Sequence, residues 1–322
     1  MEVKSQIGDK YNMNLFTSTL NQTAFLFGLI VIGYLLVKLN VLEACSAKAL
    51  SKLENNVFIP ALVMGTFIKN FTPENISGAW KILLVSILIE IVVIPFSIII
   101  SRLLTKDNYI QKIYTYGLAF ANFGFMGNAV VSSLFPDIFF EYLIFTLPLW
   151  TFIYIWGVPR LLISDSGKNQ SFKQSLKSFA NPMFVGMLIG MIIGIFSIPL
   201  PDFIKSIVNV SGDCMSPLAM ILTGIVVSSI SLKNTFTNIR IYAISIIRLI
   251  VMPIIFIVVF SFIKLDHTIY ICALCSLAMP LGLNTIVIPA GFGKNTDEAA
   301  GMAVISHLLS CITIPVIFMF IK

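Results

Sequence analysis

Residues 118–136 read LAFANFGFMGNAVVSSLFP, and residues 277–293 read LAMPLGLNTIVIPAGFG. Each is an apolar run interrupted near its middle by residues that a helix tolerates poorly. The first carries Asn122, Phe123, Gly124, Gly127 and Asn128; the second carries Pro280, Gly282, Asn284, Thr285 and Pro289. Glycine weakens a helix, proline removes a backbone donor, and an amide cannot be left unpaired in hydrocarbon. Two helices broken at matching depth, one in each half of a chain, point to a midplane binding site. Half-helix N-termini there would turn NH groups and positive dipole ends toward an anion.

Composition supports a membrane setting for both runs. Of 322 residues, 57% are hydrophobic and 11% charged, against about 45–50% and about 25% in soluble domains. That balance excludes an ordinary soluble enzyme, a disordered chain and a collagen-like one. Apolar runs bounded by charges or by Pro, Gly and Asn predict ten spans. They fall near 15–37, 47–68, 79–101, 113–134, 139–161, 181–199, 214–232, 240–263, 268–291 and 299–321. The expected class is an all-α polytopic membrane protein with no soluble domain. The first apolar run is long enough to span, so no cleaved signal peptide is expected.

The net charge of +6 comes from basic residues set singly in short loops, which is not a nucleic-acid footprint. Lys4, Lys10, Lys69, Lys81, Lys205, Lys264 and Lys322 fall on the side of the N-terminus; nearly twice as many Lys and Arg fall on the other. The richer side should be cytoplasmic, which puts both termini outside a plasma (inner) membrane. The five cysteines lie mostly in apolar runs and read as small buried hydrophobes. The CxxC of Cys272 and Cys275 has no nearby partner residue, so no metal site and no cofactor are expected.

An internal repeat orders these spans. Pro60 pairs with Pro217 and Gly28 with Gly186; EIVVIP (90–95) pairs with RLIVMP (248–253), and LAFA (118–121) with LAMP (277–280), all at offsets of 157–159. Five spans separate each pair, so the halves should face opposite ways in the bilayer. The expected units are repeat 1–161, a cytoplasmic link at 162–180, and repeat 181–322. Such an inverted repeat marks a transporter that opens alternately to either side.

Glu90, Arg248 and His307 lie well inside the third, eighth and tenth spans. Glu90 and Arg248 occupy equivalent repeat positions, where a charge is costly; they are expected to form a buried ion pair, with Glu90 as a proton-coupling carboxylate the sharper alternative. His307 is read as a hydrogen-bonded packing residue that could join a proton relay. Gly186, Gly190 and Gly194 form a face for close helix packing, within the protomer or at a dimer contact.

At the motif level the chain resembles the auxin efflux carrier family. The first break resembles the family stretch N-T-G-x-x-G-x-P. MPLGLNT (279–285), GKNTDEAAGMAVISHLLS (293–310) and FIPALVMGTF (58–67) resemble its other signatures. The resemblance implies the fold of bile-acid symporters and sodium/proton antiporters, with the fourth and ninth helices crossed. It implies a scaffold of spans 1, 2, 6 and 7 and a transport core of the rest, in a homodimer. The family's crossover asparagines carry over to Asn122 and Asn284, and its ninth-span proline to Pro280. The chain departs at Phe123, where the family has threonine, and at Asn128, close to the family proline. Where plant members carry an acid and a lysine, it has Ser77 and Lys81, so Lys81 alone survives as a supporting cation.

The expected function is transport of a small organic anion, a carboxylate such as malate or an auxin-like acid, by an elevator or rocking movement. Its site would comprise Asn122, Phe123, Gly124, Gly127, Asn128, Pro280, Gly282, Asn284 and Thr285. Coupling to protons or sodium stays open. The alternative is a cation/proton exchanger or sodium-coupled symporter on the related fold, which would call for acids at the crossing. An intramembrane enzyme is disfavoured because no paired-Asp, GxSxG-plus-His or HExxH motif is present.

Overall fold

The computed structural model describes residues 2–72, 78–162, 182–229, 232–291 and 294–321. Their regular structure is helical. Helix α1 (Glu2–Lys38) is followed by α2 (Ser46–Leu53), which runs through a π-helical turn, Glu54–Phe58, into α3 (Ile59–Asn70). Helix α4 (Ala79–Leu104) leads to α5 (Asn108–Ala119), a π turn at Phe123–Gly127, and α6 (Asn128–Leu134). Helix α7 (Phe139–Phe152) extends through Ile153–Leu162. Then come α8 (Pro182–Ile195), α9 (Asp202–Asp213), α10 (Met215–Val227) and the short α11 (Leu232–Thr237). Helix α12 (Ile239–Ile246) passes through a π turn, Ile247–Val251, into α13 (Met252–Ser261). Helices α14 (His267–Ala278), α15 (Asn284–Gly291) and α16 (Asp297–Phe318) complete the described chain.

Six of these stretches are long and apolar enough to cross a bilayer: Met13–Lys38, Ala79–Leu104, Pro136–Leu162, Asp202–Val227, Ile239–Ser261 and Asp297–Phe318. The described residues are therefore those of a helical polytopic membrane protein. The helical run 46–70 is as long as these but carries Lys48, Lys52, Glu54, Asn55 and Asn56 in its first half. The breaks at 120–122 and 279–283 leave only shorter apolar pieces on either side.

Two boundaries differ from the sequence expectation. The stretch expected to begin at 214 begins at Asp202, because α9 continues into α10 through Cys214 and keeps Asp213 on an exposed face. The one expected to reach 199 stops at Ile195, since Ser197 takes φ 48° just before the Pro199 and Pro201 pair. The link expected at 162–180 lies, beyond Leu162, outside the described residues, as does Ser77.

Two helix pairs approach with a glycine set against a facing carbonyl. On α8, a Cβ added at Gly186, Gly190 or Gly194 would come within 2.8 Å of the Pro60, Met64 or Phe67 carbonyl of α3. That settles the glycine face as packing within the protomer. On the other side, a Cβ at Gly33 of α1 would strike the Ile221 carbonyl of α10, and one at Gly224 the Ile30 carbonyl. Gly28, read above as the partner of Gly186, has nothing within 4 Å of its Cβ position; the close contact on α1 belongs to Gly33. Helices α4 to α7 and α12 to α16, which include the two breaks, pack largely on one another.

Candidate functional site

The two breaks form for different local reasons. Helix α14 starts on Asp266, whose Oδ1 accepts from Thr268 N at 3.0 Å, and ends at Ala278. Met279 precedes Pro280 and is extended (φ −69°, ψ 148°), as expected when the proline ring crowds the residue before it. Helix α5 starts on Asp107, which accepts from Ile110 N at 2.9 Å, and leaves helical geometry at Phe120 (φ −118°, ψ 96°) with no proline present. There Asn122 restarts the chain: its Oδ1 accepts from Met126 N at 3.4 Å and its carbonyl from Gly127 N at 2.9 Å. The latter spans five residues and makes the π turn, a rare geometry found often at functional sites.

The breaks meet each other. Ala121 and Leu281 form an antiparallel bridge, and Asn122 N donates to the Pro280 carbonyl at 2.7 Å. A Cβ at Gly282 would stand 2.6 Å from the Phe120 carbonyl, so glycine is what permits this approach. Backbone groups that the helices cannot use are thereby paired across the junction, as a low-dielectric setting demands.

Arg248 completes this pairing. It is 2% exposed and sits on the π turn between α12 and α13. Its Nη1 donates to the Leu118 carbonyl at 2.7 Å, its Nη2 to the Ser276 carbonyl at 3.0 Å and its Nε to the Met279 carbonyl at 3.4 Å. These carbonyls lie at or beside the C-terminal ends of α5 and α14, where orphan oxygens and the negative dipole end concentrate. The expected bridge to Glu90 does not form. The guanidinium is spent on carbonyls, and Glu90 is buried with its Oε2 lacking any hydrogen-bond partner.

The other sequence-derived residues distribute as follows. Asn122, Phe123, Gly124, Gly282 and Asn284 border one narrow void of about 10 Å³ at the junction. Asn284 Nδ2 donates to Tyr116 Oη at 3.1 Å, and Thr285 Oγ1 to the Gly282 carbonyl at 2.8 Å. Asn122 Nδ2 lies 2.9 Å from His307 Nε2. The Phe123 ring packs edge-on to Trp150 with centroids 5.1 Å apart. A Cβ at Gly124 would come 2.6 Å from Trp150, and one at Gly127 would strike the Tyr142 hydroxyl. Asn128 is buried at the start of α6. Lys81 stands apart, exposed on the first turn of α4 with its Nζ 5.7 Å from the Trp80 ring centre.

Residues with no sequence pattern to mark them also shape the site. Tyr116 engages Asn284, Trp150 walls the void, and Tyr142 Oη donates to the Phe123 carbonyl at 3.1 Å. An open cavity of about 430 Å³ lies between α3 and α9 on one side and the Pro136–Phe140 corner on the other, lined in part by Thr66, Lys69, Asp137, Asn209 and Asp213. Toward the opposite end, Asn284 borders a void of about 20 Å³ with Ser51, Asn55 and Thr223. Among the described residues no cluster of His, Cys, Asp and Glu could hold a metal ion.

A family model described as "Membrane transport protein" matches residues 18–175 and 168–318, nearly the whole chain. No curated protein matches it.

Proposed function

Because the chain belongs to the auxin efflux carrier family of membrane transport proteins, we propose that it carries a small organic anion across the membrane. The site is the junction of the two breaks, and the cargo is a carboxylate, with malate and auxin-like acids as the first classes to try. The observation that carries this reading is the antiparallel meeting of Ala121 with Leu281. It brings the N-terminal ends of two half-helices, and Asn122 and Asn284, into one small space. Arg248 serves the carbonyl ends, so the NH ends are what remain for a ligand, and NH ends favour anions. Neither 120–123 nor 279–283 contains an acid, which weighs against cation exchange at the junction.

The architecture we infer is ten spans in two inverted halves, 1–161 and 181–322. Helices α1, α2–α3, α8 and α9–α10 form the scaffold and the rest the moving bundle. Support comes from the exchange of partners: α1 packs on α10 while α8 packs on α3. The first helix of each half thus packs on the second helix of the other. The cavity of about 430 Å³ and the void of about 20 Å³ lie along the seam between scaffold and bundle, where an elevator or rocking movement would slide. Both termini lie outside the plasma membrane in this reading, and a homodimer is the working assembly.

Uptake of radiolabelled carboxylates into proteoliposomes, with and without proton and sodium gradients, tests it. Asn122→Ala and Asn284→Ala should each abolish uptake in folded protein. Unchanged apparent affinity in both would overturn the site.

A further inference from the structure

A directed chain of hydrogen bonds runs through the first break. One end is Met126 N, which can only donate; the other is the Ala303 carbonyl, which can only accept. Between them, Asn122 Oδ1 lies 3.4 Å from Met126 N, Asn122 Nδ2 lies 2.9 Å from His307 Nε2, and His307 Nδ1 lies 2.8 Å from Ala303 O. Both ends are backbone groups whose polarity cannot be reversed, so the middle of the chain has one direction. The Ala303 carbonyl requires the imidazole hydrogen on Nδ1. Met126 N requires the Asn122 oxygen, which turns Nδ2 toward His307. Since Nδ2 carries hydrogens, His307 Nε2 must accept. The imidazole is neutral, in the Nδ1–H form. Of the four hydrogen-bonding positions of the Asn122 amide, one NH of Nδ2 is left uncommitted on the donor side, on a residue that borders the junction void.

We propose that His307 is a positioning residue for the transport site. It locks the Asn122 amide with its oxygen on the second half-helix and its remaining NH offered to the ligand. The lock stands on the hydrogen bonds alone; the consequence for the ligand rests on Asn122 contacting an anion, as proposed above. A free amide could turn over. It would then release Met126 N and present an oxygen, which repels a carboxylate. His307 therefore selects the donor face of Asn122, and with it the sign of the charge that the junction accepts.

The chain has two histidines, His267 and His307. His267 is exposed on the first turn of α14, so His267→Gln leaves His307 as the one imidazole of the 322-residue chain. With ¹⁵N-labelled histidine in nanodiscs, one-bond N–H coupling should appear on Nδ1 and be absent on Nε2. Asn122→Ala should shift Nε2 and leave Nδ1 in place. Hydrogen on Nε2, or an Nε2 resonance indifferent to Asn122→Ala, would overturn the lock.

Binding supplies the second arm, with malate and indole-3-acetate as probes. His307→Phe should weaken carboxylate binding by about tenfold, the size of one lost hydrogen bond. His307→Gln, which can place an acceptor near the position of Nε2, should recover most of that loss. Wild-type affinity in His307→Phe alongside weakened binding in Asn122→Ala would overturn the inference and leave the site standing. Wild-type affinity in Asn122→Ala would overturn the site instead, and the spectra would still decide the lock.

Discussion

Arg248 Nη1 donates to the Leu118 carbonyl at 2.7 Å, joining a helix of the second half to the end of the broken helix of the first. With Ser276 and Met279 also held, one side chain closes the carbonyl ends of both interrupted helices. A fixed cation can do this at low cost because its charge meets two negative dipole ends at once.

Arg248→Met should therefore destabilise strongly. It strands three buried carbonyls, and hydrogen bonds to a charged group are worth about 1.5–3 kcal/mol each. A loss of about 3 kcal/mol or more is expected in thermal melts of the detergent-purified protein. Arg248→Lys should recover little, because one ammonium cannot span positions that the planar guanidinium reaches. Glu90→Gln should stay within about 1 kcal/mol of the parent, since no donor faces Glu90 Oε2 and surrendering no hydrogen bond costs little. A large loss in Glu90→Gln would restore the ion pair that the geometry denies.

The two breaks were legible in the sequence to different degrees. Pro280 announces its break through covalent geometry, which any sequence displays. Asn122 announces its break through residue types that weaken a helix, but what holds it is tertiary: Pro280 O and His307 lie about 160 and 185 residues away in the chain. The Glu90–Arg248 expectation failed for the same reason. Repeat symmetry places the two side chains at equivalent depth, yet it cannot see that the breaks create carbonyls competing for the guanidinium. Tyr116, Tyr142 and Trp150 lie outside any pattern, because their roles depend on which helix ends they meet.

Helix packing gives a controlled comparison on α1. Gly33→Ala drives a Cβ into the Ile221 carbonyl of α10, whereas Gly28→Ala meets nothing within 4 Å. Overpacking costs about 1–3 kcal/mol, and here the obstacle is backbone, which cannot rotate away. Gly33→Ala should lower the melting temperature, while Gly28→Ala should be neutral or gain up to about 1 kcal/mol from helix propensity. Equal melting temperatures would mean that α1 and α10 are not in close contact.

Phe123 narrows the junction by packing on Trp150. Phe123→Thr removes most of a buried ring, and large-to-small changes of this kind cost about 3–5 kcal/mol in well-packed cores. A loss toward the lower value is expected, because the site borders a void. The space gained adjoins the proposed site, so preference in a carboxylate panel should move from malate toward indole-3-acetate. Unaltered preference with the expected loss of stability would place Phe123 in packing alone.

The sidedness of the loops follows from two contacts and can be read by labelling. Tyr109 Oη donates to the Asn295 carbonyl at 2.6 Å, so the turn before α5 and the turn before α16 share one end of the molecule. The Phe135 and Phe318 rings lie 5.8 Å apart, so the turn after α6 and the end of α16 share another. If the broken helices cross the bilayer, these ends lie on opposite faces. Arg102, Lys106, Lys112 and Lys294 gather at the first end, and an excess of basic residues marks the cytoplasm. Single cysteines replacing Lys106 or Asn295, in a background lacking the five native cysteines, should resist an impermeant maleimide in intact cells. A cysteine replacing Asp137, exposed beside Phe135, should react. Reaction at 106 and 295 but not at 137 would invert the orientation. Reaction at all three would show that α5 and α6 together do not traverse the membrane, and the junction could then not be a midplane site.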